Sequence, residues 1–194
     1  MSLELDHSTD PIVSPAPGTW IVDPVHSDIS FRVRHMGMGR VRGTFTLASA
    51  DLTVGEDGAT ASGVRAVVDA ASVVTGSEQR DQHIRSADFL DVENHPSIEF
   101  SSTQVRDVDG SFFAIDGDLT IHGVTRTVEL AAECLGKVDD PSGGQRVGFS
   151  ASTTISRAAF GVDIHLGFGA GNVVVADTIE ITIDVEFTSA VDQS

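Results

Sequence analysis

Residues 178–187 read TIEITIDVEF, and the alternation is unbroken: Ile179, Ile181, Ile183, Val185 and Phe187 fall on one face, Thr178, Glu180, Thr182, Asp184 and Glu186 on the other. Successive side chains of a strand point to opposite faces, so an apolar and a polar set at period two read as a half-buried antiparallel strand. The pattern recurs in ISFRVRH (Ile29, Phe31, Val33), RVRGTFTLASADLTV (Val41, Phe45, Leu47) and SIEFSS (Ile98, Phe100). It returns in FFAIDGDLT (Phe113, Ile115, Leu119), VTRTVELAAECL (Val124, Val128, Leu130) and RVGFSASTTI (Val147, Phe149, Ile155). With GTWIVDP and GVRAVVDAAS added, there are roughly eight or nine strands.

Turn-forming stretches, GEDG, DVDG, IHGVT and DPSGGQ, sit where hairpins should close. The connections are short, so sequential strands should pair as a meander, and no helical period separates them as βαβ units would require. One long interruption lies between Val74 and Ser97. Such strands either stack as two sheets or close on themselves, and an eight-stranded closed barrel is just wide enough to be filled by side chains or to hold one small ligand. The pattern alone leaves both open.

The chain has 194 residues, 40% of them apolar, enough for one well-cored domain. A formal net charge of −17 opposes the positive field that nucleic acid or an anionic membrane surface requires, so neither is expected as a partner. Cys134 has no second thiol to pair with, no zinc-type Cys/His spacing occurs, and no metal or other cofactor is expected. Glu4, Asp6 and Asp10 stand where a signal peptide needs a basic start and an apolar run, so a cytoplasmic location is expected. No apolar segment approaches the roughly 20 residues of a membrane-spanning helix, so stable membrane insertion is not expected. Residues 1–17, with three prolines and no periodicity, read as a flexible arm, 18–188 as the domain and 189–194 as a tail.

WIVDPVHSDISFRVRHMGMGRVRGTF (Trp20–Phe45), RDQHIRSADFLDVENHPSIEFSS (Arg80–Ser102), GDLTIHGVTRTV (Gly117–Val128) and VGFSASTTISRAAFGV (Val147–Val162) form an ordered set of landmarks. Together they resemble the YceI-like family of lipocalin-like, polyisoprenoid-binding proteins, from about Gly18 to Phe187. The resemblance implies an all-β fold: an extended eight-stranded antiparallel up-and-down barrel, lipocalin-like, with a short helical crossing segment near residues 78–90. It also implies an apolar bore holding a long isoprenoid chain, such as a prenyl diphosphate or the tail of a quinone. The family is not known as a catalytic one, so the resemblance implies binding, sequestration or transport, and enzymatic activity is not expected. Many bacterial members carry a secretion signal, a pattern the first residues here do not show.

RDQHIRSADFLD, Arg80–Asp91, packs three aspartates, two arginines and a histidine into an otherwise strand-like chain. A metal or acid–base centre needs groups converging on one point with an orienting shell, and Asp81-x-His83 has no second close pair to complete it. On a helix, Asp81, Arg85 and Asp88 align at steps of four and three. The segment is therefore expected to cap the barrel with an ion-pair track, Ile84, Phe89 and Leu90 packing beneath it. His7, His26, His35, His95, His122 and His165 are scattered, and His95 and His122 read as turn histidines. GFGAGN (Gly167–Asn172) lacks the GK[ST] ending of a phosphate loop and reads as a connection. No GxSxG nucleophile signature occurs, and Cys134 shares inward parity with Val128 and Leu130. Arg32, Arg34, Arg40 and Arg42 have outward parity, with Glu180 and Glu186 as available partners.

Arg126 shares parity with Val124 and Val128, and Arg157 with Phe149 and Ile155, so both are expected inside, near a strand end. A charge there must be paired or meet water. Two roles are open: Asp81 or Asp88 neutralises one of these arginines and fastens the crossing segment, or the guanidinium faces a ligand's diphosphate or quinone oxygen. Arg126, Arg157, Asp81, His83, Arg85 and Asp88 are accordingly the polar candidates for headgroup or cap contacts.

The apolar ligand site is expected to comprise Ile29, Phe31, Val33, Phe45, Val67, Phe100, Phe113, Ile115, Leu119, Val128, Leu130, Phe149, Ile181, Ile183 and Val185. Affinity there would come from buried apolar area, roughly 25 cal/mol per Å² before ordering costs. Two alternatives stay open: an enzyme or metal-binding protein using Asp81 and His83, and a structural module whose barrel is filled by its own side chains. Outward Phe112 is expected to offer a homodimer contact.

Overall fold

The computed structural model describes residues 15–164 and 174–189. Most of the N-terminal arm, residues 190–194 of the tail, His7, His165 and the GFGAGN stretch lie outside the described residues.

Nine strands are present in the described chain: β1 (Gly18–Val22), β2 (Asp28–His35), β3 (Gly39–Gly55), β4 (Gly58–Val74), β5 (Ser97–Asp109), β6 (Phe112–Ile121), β7 (Val124–Asp139), β8 (Gln145–Ser156) and β9 (Val175–Ser189). A helix, α1 (Glu78–Arg85), follows β4, and 3-10 turns occupy Pro24–His26 and Ala158–Phe160. Each strand from β3 to β9 pairs antiparallel with its sequence neighbour. The ring is closed by β1 and β2, each of which pairs with both β3 and β9. These two strands are halves of one stave: β1 lies against residues 51–54 of β3 and β2 against residues 39–45. Pro24 separates them, having no N–H to donate to a ladder. Eight staves therefore form a closed up-and-down barrel with one short helix.

Because the strands alternate in direction, the connections sort to two ends. The β3–β4, β5–β6 and β7–β8 turns gather at a lower end with β1; the β2–β3 and β6–β7 hairpins, α1 and the Ala158–Phe160 turn gather at an upper end. Trp20, Val22, Leu52, Val54, Val147 and Phe187 pack the lower end, and Leu119, Ile121, Ile155, Phe160 and Val162 form a second cluster towards the upper end. A register shift between Leu47 and Ser49 reverses the parity of β3, so Leu47 and then Ala50, Leu52 and Val54 are all buried.

At the lower end the Arg146 guanidinium reaches Asp23 at 2.7 Å, Asp140 at 2.8 Å and Glu186 at 2.6 Å, tying the β1–β2 joint and the β7–β8 turn to β9. Arg146, helped by His26, holds the Asp23 carboxyl well below its ordinary value of 3.8. Asp140 is lowered by the Ser142 backbone N–H and by Arg146, Asp116 by Arg106, and Asp177 by Ser156 and the Ala158 N–H. A carboxyl depressed in the folded state stabilises it fully above the unfolded pKa, and that stability is lost as pH falls through the folded pKa. Thermal unfolding is therefore expected to give a Tm that is level above about pH 5 and falls below about pH 4. Arg146→Ala should lower the plateau and make the acid limb shallower.

One seam of the barrel is only partly closed. The β7–β8 ladder runs from Asp139↔Gln145 to Ala131↔Ser152 and ends there, although β7 begins at Val124 and β8 continues to Ser156. Above Ala131 the two strands separate, and the Ala158–Phe160 turn packs against β7 at that level, with Phe160 only 2% exposed.

Candidate functional site

Inward side chains from the staves enclose a cavity of about 640 Å³, within the roughly 300–1,000 Å³ typical of small-molecule sites. The alternation seen in the sequence delivers its lining. Ile29, Phe31 and Val33 come from β2, Phe45 from β3, Phe100 from β5, Phe113, Ile115 and Leu119 from β6, and Val128 and Leu130 from β7. Phe149 of β8 and Ile181, Ile183 and Val185 of β9 complete that set.

Val67 is the exception: it is 36% exposed, paired with Glu99 on the outer wall, while Val64, Ala66 and Val68 of β4 line the cavity. VRAVV is apolar at both parities, so alternation gives no answer there; the pairing of Val68 with Leu47 and Ile98 decides it. Leu52 also reaches the cavity, displaced into it by the β3 bulge, and Ala132 and Ala151 face it as small residues.

The bore stays open because its large rings lie against the wall. A Cβ on Gly43 would stand 2.5 Å from the Phe31 ring, and one on Gly117 would stand 2.3 Å from the Phe100 ring. Bare backbone at these two positions lets each phenylalanine fold across a neighbouring strand instead of across the bore. Side chains therefore do not fill the barrel.

The upper end is the mouth, and its polar lining is mainly basic in a chain of net charge −17: Arg34, His35, Ser77, Gln79, Arg80 and His83 border the cavity there, with Glu99 as the one carboxylate among the described lining residues. α1 forms one lip, but without the expected Asp81/Arg85/Asp88 track. Asp81 is turned inward, 4% exposed, and accepts the Thr75 N–H at 2.9 Å together with the Thr75 hydroxyl. Arg85 donates to the carbonyls of Ala71 at 2.7 Å and Val73 at 2.8 Å. Asp88 lies 3.5 Å from His83, whose ring meets Phe89 edge-on. The β4–β5 ladder stops at Asp69↔Ser97, so the last carbonyls of β4 lack strand partners on that side and claim Arg85 ahead of any carboxylate. Asp81 and His83 are thus engaged separately and do not converge as a pair.

Neither inward-parity arginine is neutralised by Asp81 or Asp88. Arg157 borders the cavity, but its guanidinium donates to the carbonyls of Val162 at 2.5 Å, Ala176 at 3.1 Å, Ile164 at 3.2 Å and Val175 at 3.3 Å. Four of the five N–H groups of an arginine are spent in this way. Arg126 does not enter the bore; it is exposed on the outer groove where β7 and β8 part. In that groove Arg32 pairs with Glu180 at 2.9 Å and Glu129 pairs with Arg106, whereas Arg126 donates to the Thr125 carbonyl at 3.0 Å. Among the described residues of the groove, Arg126 is the guanidinium without a carboxylate partner. Val128, Thr153, Ile155, Phe160 and Ile181 border both groove and cavity, so one layer of side chains separates the two.

Cys134 is half-buried and burial raises its thiol pKa. Phe112 is 59% exposed. Among the described residues no helix is long and apolar enough to cross a membrane.

The YceI-like domain family matches residues 20–187. Among relatives, Protein YceI of Escherichia coli is 37% identical over 155 residues, covering 80% of this chain and 81% of that one. A UPF0312 protein of Pseudomonas aeruginosa is 36% identical over 161 residues, 83% of this chain and 81% of its own. In structure, BcnA of Burkholderia cenocepacia superposes with a TM-score of 0.72 at 21% identity, over 85% of this chain and 98% of its own. A polyisoprenoid binding domain from Saccharophagus degradans gives 0.63 at 15% identity, over 88% and 98%. On the extent of the family match and of these relatives, the chain belongs to the YceI-like domain family.

Proposed function

We propose that this protein binds a long-chain isoprenoid amphiphile, a polyprenyl diphosphate or an isoprenoid quinone, and sequesters or carries it without catalysing a reaction. The observation that carries this reading is the long apolar cavity open at a mainly basic rim. A solved relative in fold described as a polyisoprenoid binding domain supports it. The chain of the ligand lies among the apolar residues from Ile29 to Val185, and its head remains at the upper end. Arg34 is the group suited to the head, since it borders the cavity at the rim and its guanidinium makes no hydrogen bond or ion pair among the described residues, whereas Arg126 faces the outer groove and Arg157 has almost no donor to spare.

The test is a binding series with delipidated protein, using prenols and prenyl diphosphates of increasing length. Each buried methylene contributes about 0.8 kcal/mol, so affinity should rise steeply with chain length until the bore is full and then level off. The diphosphate should bind more tightly than the prenol of equal length, and Arg34→Ala should remove roughly ten- to hundredfold of affinity for the diphosphate alone, the worth of a charge-assisted hydrogen bond, while Arg126→Ala on the outer groove should change little. Absence of saturable binding to every member of both series would sink the isoprenoid reading. An unchanged diphosphate preference in Arg34→Ala would remove only the headgroup role.

A further inference from the structure

Asp91, His95 and His122 come together at the upper end, and the apolar bore makes no use of them. One donor atom from each lies within 4.8 Å of the others, and all three residues are half-buried. The two imidazoles stand 4.9 Å apart between centroids, tilted by 73°. Among the described residues neither ring forms a hydrogen bond. Asn94 donates through its side-chain amide to the Asp91 carboxylate at 2.8 Å, and the His95 N–H donates to the Asp91 carbonyl at 2.8 Å, which orients the acid and the first imidazole together.

The third ligand arrives on a hairpin shaped for it. Ile121 and Val124 are paired, and between them His122 has φ 52° and Gly123 φ 71°, a two-residue turn of type I′. Asn, Asp or Gly is the favoured first residue of that turn because each tolerates a left-handed backbone well. A histidine there is a poorer choice for the turn itself. Gly123 is required twice: by its positive φ, and because a Cβ would stand 2.6 Å from Cε1 of His95. The tip of the β6–β7 hairpin is thus cut to receive an imidazole from the crossing segment.

We propose that Asp91, His95 and His122 form a binding site for a divalent transition-metal ion of the zinc class, which pins the crossing segment to the β6–β7 hairpin beside the mouth. Two neutral imidazoles and a carboxylate are a donor set for zinc and its neighbours, and poor for magnesium or calcium, which take oxygen. Donors about 2.0–2.1 Å from a tetrahedral ion are roughly 3.4 Å apart, so closing on an ion asks for side-chain adjustment and no movement of strands. A fourth position remains for water. The chain offers an internal contrast in Asp23, His26 and Glu186, which also lie within 4.8 Å of one another. There Arg146 sits between the two carboxylates at 2.7 and 2.6 Å, so a guanidinium already supplies the positive charge. No such cation stands among Asp91, His95 and His122.

The test uses the full chain after chelator treatment, titrated with ZnCl₂ by calorimetry and followed by thermal unfolding, beside the variant His122→Asn. Asparagine suits the type I′ turn, so the variant should fold, with a metal-free Tm equal to or above that of the parent. The expected result is one saturable zinc per parent chain and a Tm rise of roughly 5–10 °C at a hundredfold excess over Kd. Both should be absent in His122→Asn, and an equal concentration of MgCl₂ should change nothing in either protein. Failure of the parent to bind zinc saturably, or an equal response in His122→Asn, would overturn the proposal. Either outcome is independent of what the bore holds.

Discussion

Replacing Arg157 with Ala is expected to lower stability by about 3–5 kcal/mol, the cost of leaving several part-buried carbonyls without their charge-assisted donor. The side chain gathers four carbonyls, those of Val162 and Ile164 after the Ala158–Phe160 turn and those of Val175 and Ala176 at the start of β9. Without the guanidinium these acceptors lose their donor in a place where Phe160 and Val162 are almost fully buried. Lysine should not rescue, because one ammonium cannot present the planar set of N–H groups that reaches four separate oxygens. In a domain of this size the loss corresponds to a Tm decrease of roughly 6–20 °C, measurable by thermal or urea unfolding. Prenyl diphosphate affinity measured well below the new Tm should stay within a few-fold of the parent, since Arg157 has almost no donor left for a head. A selective loss of diphosphate binding, with stability unchanged, would reverse the assignment and make Arg157 the headgroup residue.

The strands were legible because each has one wet and one dry face, and Ile179, Ile181, Ile183, Val185 and Phe187 all border the cavity as TIEITIDVEF requires. Legibility failed where the periodic rule has no purchase. Val67 sits in an apolar run that satisfies both parities, and Leu52 sits beyond a bulge that shifts parity without a marker in the residues around Leu47. The crossing segment misled for a different reason. Helical spacing put Asp81, Arg85 and Asp88 in line, but the unpaired carbonyls of Ala71 and Val73 are set by where a ladder ends, which only the register reveals. Arg126 was placed inside by parity, and parity holds only while β7 keeps β8 as a neighbour. His95 and His122 are brought together by topology across a hairpin and a loop, so spacing along the chain carried no sign of it. The one clue was local: IHGV has histidine where a type I′ turn would rather have asparagine.

A bore that binds by apolar area has no single residue whose removal abolishes binding, so the decisive change is one that fills it. Ala151 of β8 faces the cavity, paired with Ala132 on one side and Ile183 on the other. Its small side chain leaves room in front of it, and Ala151→Trp is expected to place an indole across the bore without forcing strands apart. Excluding four or five carbons of an isoprenoid chain costs about 3–4 kcal/mol at 0.8 kcal/mol per methylene, or between two and three powers of ten in affinity. Ala151→Leu should fall between parent and tryptophan, and short prenols that stop above the block should lose little. The Tm should change by only a few degrees, since the new ring enters space that is apolar and unfilled. The length at which affinity levels off should also move to shorter chains, because the indole shortens the bore. A tryptophan variant with parental affinity and an unshifted plateau, still folded, would mean that the isoprenoid chain lies elsewhere. The outer groove between β7 and β8 would then be the place to look, because Val128, Ile155 and Phe160 already face it from within.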